Sequence, residues 1–144
     1  MEPASAGQHA SLIPVDFRAA RSRQPAKPTV VLRLTIVGGW LVLAIEGEVD
    51  ILVGWLVPDL VRRGTSLLVF DLHDVTFMDA RGLGMIVETQ RQAVAAGGCV
   101  RLAALSHQAR RLLALTGSEG VFPLFDSVEQ AVWTPFNPIG DEAS

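Results

Sequence analysis

The side chains best able to carry out catalysis are few and widely spaced in this sequence. Its three histidines lack the spacing of metal ligands, and no G-x-S-x-G segment supplies a nucleophile elbow. The single cysteine lies where a predicted strand begins, a position that favours a buried and inert thiol. We therefore predict that the protein is not an enzyme and that it binds no metal ion or cofactor. The residues considered are His9, His73, His107 and Cys99.

Phosphate-binding motifs are also missing. The Walker pattern does not occur, and the only lysine is Lys27, near the N-terminus. The run Gly82-Leu83-Gly84 lacks the third glycine of a dinucleotide-binding fingerprint. Three aspartates, Asp71, Asp74 and Asp79, cluster near one end of a predicted strand. We expect them to cap turns and a helix rather than to hold a cation.

Composition and charge exclude further classes of function. The chain has 144 residues, of which 49% are hydrophobic and 19% charged, so it can bury the core of one domain. Its net charge of −3 has the wrong sign for a protein that binds nucleic acid phosphates with its whole surface. The longest uncharged apolar stretch, between Arg33 and Glu46, is shorter than the roughly 20 residues of a membrane span. We expect a cytoplasmic protein that contacts neither nucleic acid nor a membrane.

The elements that would position any site begin near residue 30. Residues 30–37 and 40–46 are rich in β-branched and aliphatic residues and flank a glycine pair, which predicts an antiparallel hairpin. Residues 67–72 and 99–105 have the apolar character of strands buried on both faces. We predict three parts in the chain, namely an N-terminal extension over residues 1–28, a folded domain over residues 29–134 and a C-terminal tail over residues 135–144.

Helical spacing alternates with these strands. Residues 82–96 carry an apolar stripe that includes Val87, and a glycine pair follows. Residues 106–115 form a second predicted helix, with Leu112 and Leu115 on its inner side. The alternation predicts an α/β fold in which a hairpin leads into a largely parallel sheet flanked by helices. A third helix is expected near residues 127–132, and residues 51–63 should hold the first helix, whose apolar surface either packs on the sheet or binds a partner.

The stretch over residues 71–84 is the most informative part of the sequence. It places a strand, a loop, an acidic residue and a glycine-containing helical turn in succession. Asp79 is suited to accept backbone N–H bonds as the helix N-cap, and its charge suits the positive end of the helix. Glycine has no Cβ atom, so the backbone of another protein could approach the helix closely at these positions.

At this junction the sequence resembles the STAS family, and within it the bacterial anti-sigma factor antagonists. Family members read F-M-D-S-[ST]-G-L-G here, and a G-E-[LV]-D motif follows their second strand. The resemblance extends over about residues 30–133, roughly the whole predicted domain. The matching runs are Phe77-Met78-Asp79-Ala80-Arg81-Gly82-Leu83-Gly84 and Gly47-Glu48-Val49-Asp50.

The resemblance implies a partner switch. Such antagonists bind an anti-sigma factor that is also a serine kinase, and phosphorylation of the serine after the aspartate drives the complex apart. Here that position is Ala80, which has no hydroxyl group, and Arg81 follows it. Three alternatives stay open for this cation in the first helical turn: Asp79 offsets it, Arg81 projects towards the partner, or Arg81 is a tolerated surface residue of a diverged copy. The residues expected to contact the partner are Glu48, Asp50, Asp79, Ala80, Arg81, Gly82, Leu83 and Gly84.

Three functional interpretations follow. The first is a binding module that docks on an anti-sigma factor and cannot be switched by phosphorylation at the usual position. The second is a diverged STAS scaffold with another regulatory partner, controlled through Thr76, oxidation of Cys99 or the N-terminal extension. The third is a small nucleotide-binding α/β domain, against which stands the missing phosphate loop.

Overall fold

A glycine pair sets the hairpin. In the computed structural model, which describes residues 11–15, 30–49 and 64–137, Gly38 and Gly39 have positive φ angles of 58° and 87°. They join strand β2 (Val30–Val37) to strand β3 (Trp40–Val49) in antiparallel register. Positive φ at both central residues gives the turn a twist that matches the right-handed twist of the strands. The predicted hairpin is confirmed, and β3 runs three residues further than expected.

The remaining strands extend the hairpin into one mixed sheet, and every pairing beyond β3 is parallel. The hydrogen-bonded order is β1-β2-β3-β4-β6-β7, while β5 pairs with the carboxyl end of β3. The predicted α/β architecture with a largely parallel sheet is confirmed. The additional strands are β1 (Ser11–Val15), β4 (Leu67–Asp71), β5 (Val75–Met78), β6 (Cys99–Ala103) and β7 (Leu124–Phe125).

Two strands were not expected. Residues 75–78 were predicted as a loop, but they form β5 because β3 continues past β4 and offers its unpaired edge. Residues 11–15 lie inside the predicted N-terminal extension, and they form β1, which pairs antiparallel with β2. The three predicted parts of the chain stay predictions.

Each helix begins at a residue whose side chain accepts a backbone N–H bond. Asp79 caps α1 (Ala80–Ala95), Ser106 caps α2 (His107–Thr116) and Ser127 caps α3 (Val128–Trp133). Such caps satisfy donors that the first helical turn leaves without partners. Gly97 follows α1 with φ of 91°, and Gly117 ends α2 with φ of 70°. A short 3₁₀ turn (Glu119–Val121) precedes β7.

The face of the sheet beneath α1 and α2 carries the larger apolar core, called here the main face. Its fully buried side chains come from three strands and both helices, so the core is continuous across the sheet. Burial of this kind is the dominant stabilising term in folding. The largest of the fully buried side chains on this face are Leu43, Ile45, Leu68, Phe70, Leu72, Ile86, Leu102 and Leu113.

Parts of the predicted helix faces were wrong. On α2, Leu112 is partly buried and packs against the main face as predicted, but Leu115 is 72% exposed, and the buried residues are Ala109 and Leu113. The Ser106 N–H donates to the Leu72 carbonyl at 3.1 Å, which ties the start of α2 to the residue after β4. On α1, Val87 is likewise exposed.

The opposite face of the sheet carries a smaller apolar cluster and is called here the Arg101 face. Trp40, Val42 and Val69 lie on it, and α3 covers them with Ala131 and Val132. Cys99 is also buried there, as its position at the start of a strand predicts.

The predicted helix over residues 51–63 and the predicted site residue Asp50 lie outside the described residues. No helix within the described residues is both long enough and apolar enough to span a membrane.

Candidate functional site

The site begins where β5 ends and α1 starts. Asp79 has extended backbone angles, and its Oδ1 atom accepts the Gly82 N–H at 2.9 Å. Met78 before it and Leu83 after it are both buried in the main face. The predicted N-cap is confirmed, and two apolar anchors hold the start of the helix against the sheet.

Two glycines near this start have different reasons to be glycine. A Cβ added at Gly82 would overlap the carbonyl oxygen of Val49, so α1 packs directly on the backbone of β3. A Cβ added at Gly84 would meet no atom of the described residues within 4 Å. Glycine in an exposed helix interior costs about 1 kcal/mol relative to alanine. The fold itself requires Gly82, while Gly84 leaves a thin, open stretch of helix surface.

The outward side of the same turn is accessible. Ala80 is exposed, and the Arg81 side chain is 69% exposed. Arg81 Nη2 lies 3.6 Å from Asp79 Oδ2, a distance at which a solvated ion pair contributes little to stability. The cation thus stays near the N-cap carboxylate and is exposed to solvent, while its projection towards a partner stays a prediction.

Glu48 lies on β3, the strand that pairs with β5 just before this turn. It lies opposite Phe77 in the register between β3 and β5, where the pairing contains an irregularity next to Gly47. Phe77 is 47% exposed, which is high for a large aromatic side chain. Phe77 was not among the predicted contact residues, although its place in the family-like run could have indicated it.

The structure divides the predicted contact residues. Glu48, Asp79, Ala80, Arg81 and Gly84 lie on one rim, at the carboxyl ends of β3 and β5. Gly82 and Leu83 belong to the same turn but are buried beneath it, where they support the rim.

The middle of α1 continues the exposed surface with a compact polar network. Glu88 accepts hydrogen bonds from Arg91 Nε at 3.0 Å and from Gln92 Nε2 at 3.0 Å. The hydrogen bond from Arg91, with a further contribution from Gln92, lowers the pKa of Glu88 from 4.5 to about 2. Glu88 therefore remains ionised over the physiological pH range.

The aspartates near β4 serve the turn that follows it. Asp71 Oδ1 accepts the His73 N–H at 3.1 Å, and His73 Nδ1 lies 3.0 Å from Asp74 Oδ1. Over residues 11–15, 30–49 and 64–137, no group of three histidine, cysteine, aspartate or glutamate side chains has metal-binding geometry. Thr76 is exposed on β5, one residue before Phe77.

Known anti-sigma factor antagonists resemble this chain in sequence and in fold. The Anti-sigma-B factor antagonist of Bacillus subtilis is 34% identical over 93 residues, which are 61% of this chain and 84% of that protein. An anti-sigma factor antagonist from Mycobacterium paratuberculosis superposes with a TM-score of 0.64 at 24% identity, over 72% of this chain and 91% of that one. The phosphorylated form of the Bacillus cell fate determinant SpoIIAA superposes with a TM-score of 0.57 at 20% identity, over 70% and 96%.

A family model adds the decisive match. The model described as the STAS domain covers residues 31–131, from the second described strand to the C-terminal helix. The mixed sheet and its flanking helices agree with the solved anti-sigma factor antagonists. This chain belongs to the STAS domain family.

Proposed function

We propose that this protein is a regulatory binding module that docks on an anti-sigma factor and so releases a sigma factor for transcription. The observation that carries this proposal is the exposed start of α1, where Ala80, Arg81 and Gly84 face outward above a buried support. A protein surface can approach the helix closely at Gly84 because no side chain stands in its way.

The chemistry of the rim suits recognition rather than catalysis. Its charged groups are Glu48, Asp79 and Arg81, and the exposed residue Phe77 lies opposite Glu48 in the strand register, two residues before Asp79. Aromatic and arginine side chains are enriched at protein interfaces and are frequent contributors to binding energy. Family membership and the anti-sigma factor antagonists among the relatives support the choice of partner.

The proposed partner is an anti-sigma factor of the serine kinase type. The relative SpoIIAA has been solved in a phosphorylated form, which supports phosphorylation as the family's control. Ala80 stands where the resemblance places the phosphoacceptor, and alanine has no hydroxyl group to receive a phosphoryl group. The complex formed by this protein would therefore persist in the presence of ATP.

The docking site is tested by placing a large side chain in the open space at Gly84. Gly84→Arg should weaken binding to the purified anti-sigma factor by at least about tenfold, because the added side chain would hold the surfaces apart. Ala95→Arg is the matched control, since Ala95 is exposed at the far end of the same helix. Titration calorimetry measures both affinities. Equal binding by Gly84→Arg and the unchanged protein would refute docking at this rim.

The loss of the phosphorylation switch is tested separately. Ala80→Ser should accept phosphate from the anti-sigma factor and ATP, while the unchanged protein and the control Ala95→Ser should not. Intact-protein mass spectrometry detects the added phosphoryl group. Phosphate uptake by the unchanged protein would show that the acceptor is another residue, such as Thr76. Capture from native cells of a partner that is not a kinase-like ATPase would favour a different regulatory role.

A further inference from the structure

A fully buried arginine clamps the C-terminal end of the described chain. Arg101 lies on β6 with 0% exposure. Its Nη1 atom donates to the carbonyl oxygens of Ala131 at 2.6 Å and Thr134 at 2.7 Å, and its Nη2 atom donates to that of Pro135 at 3.1 Å. The guanidinium also stacks over the Trp40 ring, 4.3 Å from its centroid.

The segment held in this way is called here the C-terminal strap and comprises residues 128–136. It consists of α3 and the three residues after it. A helix of six residues cannot persist alone in water, because nucleation costs more than so few hydrogen bonds return. Only Ala131 and Val132 of α3 are buried, while Trp133 is 55% exposed. The strap therefore depends on the Arg101 clamp and on the edge-on contact between Phe136 and Trp40, whose ring centroids are 6.1 Å apart.

The chain's only cysteine belongs to the same buried cluster as the strap. Cys99 precedes Arg101 by two residues on β6, so both side chains emerge on the same side of the sheet. The buried cluster that contains Cys99 also contains Trp40 and the strap residues Ala131 and Val132. The Cys99 side chain is 4% exposed while the strap is in place.

We propose that the C-terminal strap opens as a unit while the main face stays folded, and that this opening controls access to the Cys99 thiol. Regions with few buried apolar contacts open at a lower free energy than the core of the same protein. The strap buries two helical residues, whereas α1 buries six on the main face. Arg101 sets how often the strap opens, because each bond to its charged guanidinium must break in the open state.

The experiment measures how fast 5,5′-dithiobis(2-nitrobenzoate) labels Cys99 at fixed pH, over a series of urea concentrations below the unfolding midpoint. In the unchanged protein, labelling without urea should exceed by at least about tenfold the rate that global unfolding permits. Its urea dependence should be weaker than that of global unfolding, because strap opening exposes less surface. Labelling with the full urea dependence of global unfolding would overturn the proposal.

Three variants test whether the hydrogen bonds of Arg101 set how often the strap opens. Arg101→Met should raise the labelling rate without urea by at least about tenfold, because it removes three hydrogen bonds to a charged group. Arg110→Met is the matched control and should leave the rate unchanged, since Arg110 is exposed on α2.

Leu113→Ala weakens the main face instead and should lower global stability while leaving the labelling rate without urea unchanged. Equal acceleration by Arg101→Met and Leu113→Ala would refute a separate strap motion. If Arg101→Met does not fold, the urea dependence in the unchanged protein decides the question alone.

Discussion

The two faces of the sheet are closed by different kinds of interaction. The main face is covered by two helices of 16 and 10 residues, and its core consists of aliphatic side chains, methionines and two phenylalanines. The Arg101 face is covered by a helix of six residues, and a buried guanidinium binds one carbonyl oxygen of this helix and two of the residues that follow it. Long amphipathic helices bury enough apolar surface to stay packed on the sheet. A helix of about one and a half turns buries too little, so it needs hydrogen bonds from a side chain of the sheet.

The candidate site at the start of α1 is supported by the main face. The start of α1 is anchored by Met78, Gly82 and Leu83 in the most extensive part of the core. Its outward residues can therefore stay exposed without loosening the helix. A docking surface on such a support loses little conformational entropy when it binds.

The sharpest test of the contrast compares two adjacent residues of β4 that point to opposite faces. Phe70→Ala removes a fully buried ring from the main face and should lower the free energy of unfolding by about 3–5 kcal/mol. Val69→Ala removes two methyl groups from the Arg101 face and should lower it by about 2 kcal/mol. Urea denaturation measures both. A loss at Val69 below about 0.5 kcal/mol would contradict tight packing of the Arg101 face, and a loss at Phe70 below about 3 kcal/mol would contradict tight packing of the main face.

The next test uses the two glycines of α1, one on each side of the helix. Gly82→Ala should destabilise the protein by about 1–3 kcal/mol, because the new methyl group overlaps the Val49 carbonyl and backbone cannot move aside cheaply. Gly84→Ala should stabilise it by about 0.5–1 kcal/mol, because the site is open and alanine is the better helix former. Thermal unfolding measures both shifts. The same sign of shift for both substitutions would contradict the assigned packing of α1.

A smaller effect is expected at the N-cap. Asp79→Ala should cost about 1 kcal/mol, because the Gly82 N–H loses its acceptor. Asp79→Asn keeps an acceptor oxygen and should cost only about a few tenths of a kcal/mol. Chemical denaturation of the pair separates the hydrogen bond from the charge. Equal losses for the two variants would show that the charge of Asp79, rather than its cap, holds the helix start.

The smallest effect concerns Glu88 on the exposed side of α1. Its pKa in the folded protein is about 2, below the ordinary value of 4.5, because Arg91 and Gln92 donate hydrogen bonds to the carboxylate. A lowered folded pKa stabilises the protein above the unfolded value, and that contribution is lost as the pH falls from about 4.5 to about 2. A carbon-13 NMR titration of the Glu88 carboxyl group should give a midpoint near 2, and Arg91→Met should raise it. A midpoint near 4.5 in the unchanged protein would contradict the network.

Local rules predicted most of the architecture. The glycine pair at 38 and 39 predicted the hairpin, and Asp79 and Ser106 predicted two helix starts, because turns and caps depend on a few neighbouring residues. The site turn was also predictable, since its acidic cap and its glycines lie within one short run. The buried and exposed sides of α2 were not fully predictable, because they depend on how the helix packs on the sheet, which places Ala109 and Leu113 in the main face.

The sequence by itself determined the hairpin, the starts of α1 and α2 and the absence of a hydroxyl at position 80, since each depends on residue type and near neighbours. Only the tertiary structure decided that Gly82 is needed for packing while Gly84 is open. It alone placed Arg101 in a buried cluster with the C-terminal strap, 30 or more residues away along the chain. Contacts between residues so far apart along the chain depend on which strands become neighbours in the sheet. Local sequence patterns do not determine that pairing.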